Sequence, residues 1–414
     1  MNHYYFSSFN VNITEESREL IYNSITNRQV QNSSLFSNLL DKILDQGLEN
    51  IEDGTGGKLL QLIVAELIHK GIIVPIEEKP REIEYLNSLV NFIPIKNTFF
   101  RCKSLTEGKL SLLDNRNDSR IIFCSIPYDF GAGVPGTRYG PKLLRNASES
   151  ITFRGANSLL LDLDDKSDSF FGKEIYDVGN IHLPLNLQSH SLLKVQDLAR
   201  QIYEKGFPFF IGGDHLFSFP IIEGIYSQRK KPFTVVQLDY HLDIQLWGEF
   251  KKGRPIALTE ASHANFISWL KLKAPELKII QIGVHNYQNL DGKINCKDAF
   301  SYLKNIGTQI SNVEILTSRI DEILNKLPVG EDIYLTIDVD VLNRIYIPNT
   351  GYPASLGINI SDFYNIVTNL CKNNTLIGVD IMEFGSVNNY DQAPMCEIIL
   401  TLILQVIKNI KVLR

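Results

Sequence analysis

From about Arg120 onward the chain alternates short β-rich runs with longer helical stretches, and polar clusters fall at the ends of the runs. Strands are expected at 121–125, 174–178, 208–211, 233–239, 278–283, 313–316, 332–338 and 376–383. Helices are expected at 192–205, 216–228, 361–373 and 393–410. Several of the strand runs are continuously apolar, as strands covered on both faces are. This alternation builds a parallel sheet flanked by helices, and in such sheets ligands gather at the carboxyl ends of the strands. Gly212-Gly213-Asp214-His215, then Asp239 to Asp243, then Asp338 to Asp340, and finally Glu383 all lie at such ends.

The chain has 414 residues, more than one average domain holds. The first hundred read differently from the rest. Helical periodicity at 35–48 and 58–70, a short strand at 71–75 and another at 4–13 describe a small α+β module resembling a winged helix. Charged residues and Pro80 at 77–81 read as an exposed connection. We expect a module over 1–101 and a catalytic domain over 102–414. A net charge of −6 argues against a nucleic-acid partner. The first twenty residues carry no basic stretch followed by an apolar one, so no signal peptide is expected. The most apolar stretches, 59–68 and 398–413, are interrupted by Gln61, Glu66, Gln405 and Lys408, so no membrane span is expected. Five widely spaced cysteines form no disulfide framework or CxxC metal knuckle, which fits a reducing cytoplasm.

The chemistry lies in three motifs. In extended backbone, residues at i, i+2 and i+4 point to one side. Asp239, His241 and Asp243 can therefore converge, as can Asp338 and Asp340, with His215 adding an imidazole from a helix start. Four carboxylates this close cannot all stay ionised without cations. Oxygen-rich ligation with some nitrogen suits Mn²⁺ and argues against a thiolate zinc site. Taken singly, each piece has a plainer reading: Asp214 or Asp243 as a helix cap, Asp338-Val339-Asp340 as a strand end turning into a loop. The ordered set on three strand ends is what points to a binuclear site.

In this order the motifs resemble the arginase–agmatinase (ureohydrolase) family, over about residues 118 to 414. The resemblance rests on Ile126-Pro127-Tyr128-Asp129 with Gly136-Thr137-Arg138-Tyr139-Gly140-Pro141 and on the three metal motifs. It continues through Ser262-His263, Pro348-Asn349-Thr350-Gly351-Tyr352-Pro353 and Asp380-Ile381-Met382-Glu383. It implies an arginase-like three-layer α/β/α fold with a parallel central sheet of about eight strands. It implies one manganese held by His215, Asp239, Asp243 and Asp338, and a second by Asp239, His241, Asp338 and Asp340, with Asp239 and Asp338 shared. A water held between two such cations is acidified toward hydroxide near neutral pH. His263 matches the family's catalytic histidine, which relays protons or assists the leaving amine; its plainer reading is a helix cap. Glu383 matches the guanidinium-binding carboxylate, a pairing suited to bidentate geometry; its plainer reading is an exposed strand-end glutamate. The implied reaction releases urea and an amine, and the family is commonly oligomeric, so a homo-oligomer is expected.

The chain departs from the family around these residues. Tyr240 stands where Ala is usual, Leu216 where Ser is usual, and Tyr352 replaces a Thr of the Thr-Gly-Thr-Pro loop. The positions that hold the α-carboxylate and α-amino group in arginases fall at Gln245, Thr259, Ala261 and Gln288. The segment 244–259 is longer, with Trp247, Phe250, Lys251, Lys252 and Arg254. The grip on free arginine is therefore expected to be lost while the chemistry is kept. The first reading is an arginine side chain within a peptide, converted to ornithine, with the amino-terminal module recruiting the peptide as some modules of ribosomal-peptide pathways do. The second is a free small guanidine, hydrolysed as by an agmatinase, a guanidino-acid hydrolase or an arginase. A third is a catalytically silent binding protein. The module's alternative role is oligomerisation or stability alone.

Overall fold

The computed structural model describes residues 113–131, 134–151, 173–183, 188–245, 258–288, 309–385 and 392–410 without a break. Before and between them it describes 4–6, 10–15, 18–23, 28–33, 36, 38–40, 43–44, 58–70, 72–75, 92–93, 95–105, 110, 160–163, 170, 297, 301 and 303–304. At the amino terminus, β1 (Tyr4–Phe6) does not run on to residue 13; a separate strand, β2 (Asn10–Glu15), follows. β2, β3 (Arg18–Asn23) and β4 (Arg28–Asn32) form an antiparallel three-stranded sheet. β1 pairs instead with β5 (Ile73–Pro75), which follows the helix Lys58–His69. Leu40, Ile43, Val64, Leu67, Ile72 and Ile73 make a small core there. Helical residues occur at 36, 38–40 and 43–44; the rest of the helix expected over 35–48, and the connection at 77–81, lie outside the described residues.

The large sheet takes β6 (Phe92–Ile93), β7 (Lys103–Ser104), β8 (Arg120–Ile126), β9 (Glu174–Ile181), β10 (Phe207–Gly212), β11 (Thr234–Leu238), β12 (Lys278–Val284), β13 (Gln309–Ser311), β14 (Asp332–Asp338) and β15 (Thr375–Met382). Their spatial order is β13-β12-β11-β14-β15-β10-β8-β9-β6, with β7 also on β9. The eight strands from β13 to β9 pair in parallel throughout. Alternate residues of each strand serve opposite faces. Ile122, Cys124, Phe210, Val235 and Tyr334 pack toward the helices Gln188–Lys205, Ser218–Arg229 and Phe266–Lys273. Ile121, Phe123, Phe209, Val236 and Leu335 pack toward Gly140–Ala147, Ile360–Asn373 and Ala393–Asn409. This is the expected three-layer α/β/α arrangement. Burying each such side chain contributes about 1.5–3 kcal/mol, and Phe123→Ala, which also opens a cavity, costs about 3–5 kcal/mol.

One expected strand is a helix. Residues 313–316 lie in the helix Asn312–Thr317, and the strand is β13, immediately before it. Ser311 Oγ accepts the Glu314 N–H (3.3 Å) and the Glu314 carboxylate accepts the Ser311 N–H (3.2 Å). This capping box starts a helix regardless of the apolar run that follows.

The sheet also claims part of the segment assigned by sequence to the amino-terminal module. β6 pairs antiparallel with β9 and β7 pairs parallel with it. Between them Phe99 and Phe100, 0% and 1% exposed, enter the core against Phe123, with ring centroids at 5.0 and 6.1 Å. The Phe99 N–H donates to Asp177 and the Phe100 N–H to Ser148 Oγ, both at 2.9 Å. Arg145 pairs with Asp177 at 2.9 Å and lies 4.5 Å from the centre of the Phe99 ring. We propose that the boundary lies near residue 91 rather than 101. No helix among the described residues is long and apolar enough to cross a membrane, and the four described cysteines form no disulfide with one another.

Candidate metal centre and cleft

At the carboxyl ends of β10, β11, β14 and β15 the chain turns sharply. A Cβ on Gly212 would meet Met382 Sδ at 1.8 Å, and one on Gly213 would meet the Tyr128 carbonyl oxygen at 2.0 Å, so only glycine lets these ends approach. Asp214 then caps a short 3-10 turn, its Oδ1 accepting the Leu216 N–H at 3.0 Å. That turn carries His215. Alternation along a strand is not what gathers the Asp239 group, because β11 ends at Leu238. Asp239 Oδ1 accepts the His241 N–H (2.6 Å), and Asp243 sits at a left-handed φ of 52°. Asp338 repeats the device: its Oδ1 accepts the Asp340 N–H (2.9 Å) at the head of a 3-10 turn. In both cases the first carboxylate caps the turn that presents the second donor.

All six sequence-predicted ligands meet. His215 Nδ1 lies 3.2 Å from both Asp239 Oδ2 and Asp338 Oδ2, and 3.6 Å from Asp243 Oδ2. His241 Nδ1 lies 3.1 Å from Asp340 Oδ2 and 3.6 Å from Asp239 Oδ1. Two groups have donor atoms within 4.8 Å of one another: His215, Asp239 and Asp338, and then Asp239, His241 and Asp340. Asp239 belongs to both.

Burial pushes Asp338, Asp243 and Asp340 up, and neighbouring carboxylates add to it: Asp340 and Asp239 beside Asp338, Asp239 beside Asp243 and beside Asp340. Burial would also raise Asp239, but hydrogen bonds to His215 and His241 outweigh it and hold this carboxyl low. Burial opposes a charge on either imidazole, yet Asp239 and Asp338 raise His215, and Asp340 and Asp239 raise His241. A pocket that draws protons onto two imidazoles and three carboxylates is short of positive charge. Its donor set of carboxylate oxygens and imidazole nitrogens fits two Mn²⁺ ions.

Sequence reasoning missed the residues behind the ligands. His215 Nε2 meets Thr336 Oγ1 at 2.9 Å; that hydroxyl is bonded to Asp380 Oδ1 at 2.6 Å, and Tyr334 donates to Asp380 Oδ2 at 2.7 Å. This holds the Nε2 side of the ring away from the centre and leaves Nδ1 facing it, the usual outer support of a ligating histidine. Gln237 donates to Asp239 and Asp243 at 2.7 and 3.1 Å. The signal was present: Gln237, Gln281, Thr336 and Asp380 are polar residues inside buried apolar strands, and Gln237 and Thr336 each lie two residues before a ligand.

A cleft of about 200 Å³ opens over the centre. Glu383, 3% exposed, lines it from a left-handed position (φ 62°) held by its N–H to the Gly213 carbonyl at 2.7 Å. Oε1 accepts the His215 N–H at 2.9 Å, and Oε2 is buried with no hydrogen-bond partner. Burial, then Asp214 and Asp338, push this carboxyl well up. His263 lines the cleft as well. Its Nδ1 meets the Gly131 carbonyl at 2.8 Å, so Nδ1 carries the hydrogen and Nε2 remains for the cleft. Its ring stacks on Tyr352, centroids 5.4 Å apart and 22° between planes. Gln245 and Gln288 also line the cleft; Thr259 and Ala261 are not among the lining residues, and 246–257 lie outside the described residues.

Comparison with known proteins fits this geometry. The chain is 31% identical over 279 residues to agmatinase of Bacillus subtilis (strain 168), covering 66% of this chain and 87% of that one. It is 24% identical over 271 residues to the human mitochondrial guanidino acid hydrolase, covering 63% and 70%. Among solved structures, proclavaminate amidino hydrolase from Streptomyces clavuligerus superposes with a TM-score of 0.59 at 20% identity, over 77% of this chain and 97% of that one. Trypanosoma cruzi formiminoglutamase with Mn²⁺ gives 0.54 at 17%, over 70% and 92%. The family model described as "Arginase family" matches residues 119–406. That match runs through every strand from β8 to β15, the eight-stranded parallel run of the sheet, and on it the chain belongs to the Arginase family.

Proposed function

We propose that this chain hydrolyses a guanidinium C–N bond to urea and an amine, and that its substrate is an arginine side chain within a peptide, converted to ornithine. The observation that carries the guanidinium is Glu383 Oε2, a buried acceptor without a partner at the floor of a cleft over the metal centre. A planar guanidinium supplies the N–H donors such an oxygen lacks. His215, Asp239, Asp243, Asp338, His241 and Asp340 would hold the two Mn²⁺ ions. When bound, the pair supplies an acidified water and stabilises developing negative charge. Glu383 holds the planar group in register. His263 Nε2 takes up the proton released as the water oxygen adds to the guanidinium carbon and passes it to the alkyl nitrogen as that C–N bond breaks, so the amine leaves neutral. Tyr352 fixes the plane of that imidazole.

The peptide reading rests on the remaining lining. Beyond the ligands, Glu383 and His263, the described residues around the cleft are Leu242, Ile244, Gln245, Ala264, Gln288, Thr350 and Tyr352. None is charged, so none of these described residues makes an ion pair with a free α-carboxylate or α-ammonium, and an amide-bonded arginine has neither. In the amino-terminal sheet, β2 and β4 each pair on one side only among the described residues, and a strand edge of this kind can take up an extended peptide. The second reading, a free small guanidine, is favoured by the likeness to agmatinases. We assign the protein to the cytoplasm, on the wide spacing of its five cysteines, which offers no disulfide framework.

The test is urea release from the full-length manganese-loaded protein given free arginine, agmatine or a peptide with internal arginine. Urea from the peptide, with a loss of about 42 Da per arginine as expected for that reaction class, is the predicted result. Efficient turnover of agmatine or arginine with the peptide intact would transfer the assignment to the second reading.

A further inference from the structure

We infer that Gln237 is a positioning residue that holds Asp239 and Asp243 together as one half of the metal centre, and that Gln281 acts through it. The inference rests on the two-cation reading above. Gln237 and Gln281 are 0% and 1% exposed and lie opposite each other on neighbouring strands β11 and β12. An ionised carboxylate only accepts hydrogen bonds, so the amide NH₂ of Gln237 must be the group that faces Asp239 Oδ2 (2.7 Å) and Asp243 Oδ2 (3.1 Å). Its Oε1 then faces Gln281, whose Nε2 donates to it at 2.8 Å and to the Leu242 carbonyl at 2.8 Å. The relay has one direction: Gln281 orients Gln237, and Gln237 orients two carboxylates.

Three features give this arrangement a function beyond filling space. The oxygens that Gln237 binds are the same two that face His215 Nδ1, at 3.2 and 3.6 Å, so the amide sets their spacing on the His215 side of the centre. The donor is neutral. A lysine or arginine in its place would cancel the charge that the cations need, whereas an amide fixes the carboxylates and leaves them ionised. Asp243 follows a tight turn in left-handed backbone, where its side chain is not aimed by a regular element. Gln237 is the uncharged donor that aims it.

Outer-shell donors of this kind change metal affinity by about 10–100-fold. Manganese alone is the probe, titrated into the metal-free full-length protein and followed by calorimetry and electron paramagnetic resonance. The parent should take up two ions and show the signal of a coupled pair. Gln237→Met should weaken the site on the His215 side by about 10–100-fold and the other site, which shares Asp239 with it, by less, and at limiting manganese the coupled signal should give way to the six lines of an isolated ion. A general loosening of the fold would instead weaken both sites equally. Gln281→Met leaves Gln237 in place and should weaken the same site less, adding nothing in the Gln237→Met background. Unchanged binding in Gln237→Met, or equal losses at both sites, or a full additional loss from Gln281→Met in the double variant, would each overturn the assignment. If Gln237→Met does not fold, Gln281→Met decides, and parental binding by it overturns the relay. A parent that takes up no manganese pair defeats the two-cation reading and this inference with it. A parent that takes up the pair alongside a Gln237→Met variant that does the same defeats this inference alone.

Discussion

The two oxygens of Glu383 have different tasks: Oε1 is occupied by the His215 N–H, and Oε2 waits in the cleft. Glu383→Gln preserves the shape but replaces a charged acceptor with a neutral amide. A hydrogen bond to a charged group contributes about 1.5–3 kcal/mol, so kcat/KM should fall by about tenfold or more with both metals retained. An unchanged kcat/KM would mean that the guanidinium is held elsewhere. His263 lies outside the ligand set, fixed between the Gly131 carbonyl and the Tyr352 ring. His263→Ala should therefore keep its manganese and lose about 10²–10⁴ in kcat, the range for a general acid. Metal analysis beside steady-state kinetics checks both, and near-parental turnover would remove His263 from the mechanism.

The helix Gln188–Lys205 buries a lysine. Lys194, 2% exposed, donates to the His182 carbonyl, and burial lowers its ammonium from 10.5 to about 8. Between those two values the unfolded chain holds the proton more firmly than the fold does, so stability rises with pH across that window. Below about pH 8 both states are charged and the full cost of burial is present. Lys194→Met lacks this dependence. The melting temperature of the parent should therefore gain on that of the variant as pH is raised from about 8 to 10.5, and a constant difference would show that burial does not perturb Lys194. Largely apolar runs marked β8, β10, β12 and β14 because both faces of the sheet are covered. The run at 313–316 misled because four apolar-rich residues cannot separate a strand from a helix, and Ser311 with Glu314 decided it. All six candidate ligands were legible as residues, and so was their convergence, but not its cause: it comes from capped turns after the strands, not from strand alternation. Gln237 and Thr336 passed unnoticed because their role depends on a neighbouring strand that sequence order does not place.

For the whole molecule, the segment 92–104 decides where the chain can be cut. Deleting residues 1–101 removes Phe99 and Phe100 from the core, at about 3–5 kcal/mol for each large side chain lost, against a total stability of about 5–15 kcal/mol. That deletion should yield insoluble or unfolded protein. Deleting 1–91 should leave a folded, manganese-binding domain whose KM rises far more for a full precursor peptide than for a short arginine peptide, because tethering is lost. Circular dichroism with urea assays on both truncations checks this, and a soluble, cooperative 102–414 fragment would count against the integral role of the strap. The order of the strands has a last consequence. β8 to β10 form one half of the sheet and β11 to β13 the other, yet only β14 and β15, the latest strands in the chain, join them. During synthesis both halves emerge first, carrying His215 on one and Asp239, His241 and Asp243 on the other, with nothing between them. Asp338, Asp340 and Glu383 arrive on the pieces that close the gap. A nascent or prematurely terminated chain is thus denied a working centre, and the enzyme becomes competent in one step, when its keystone is set.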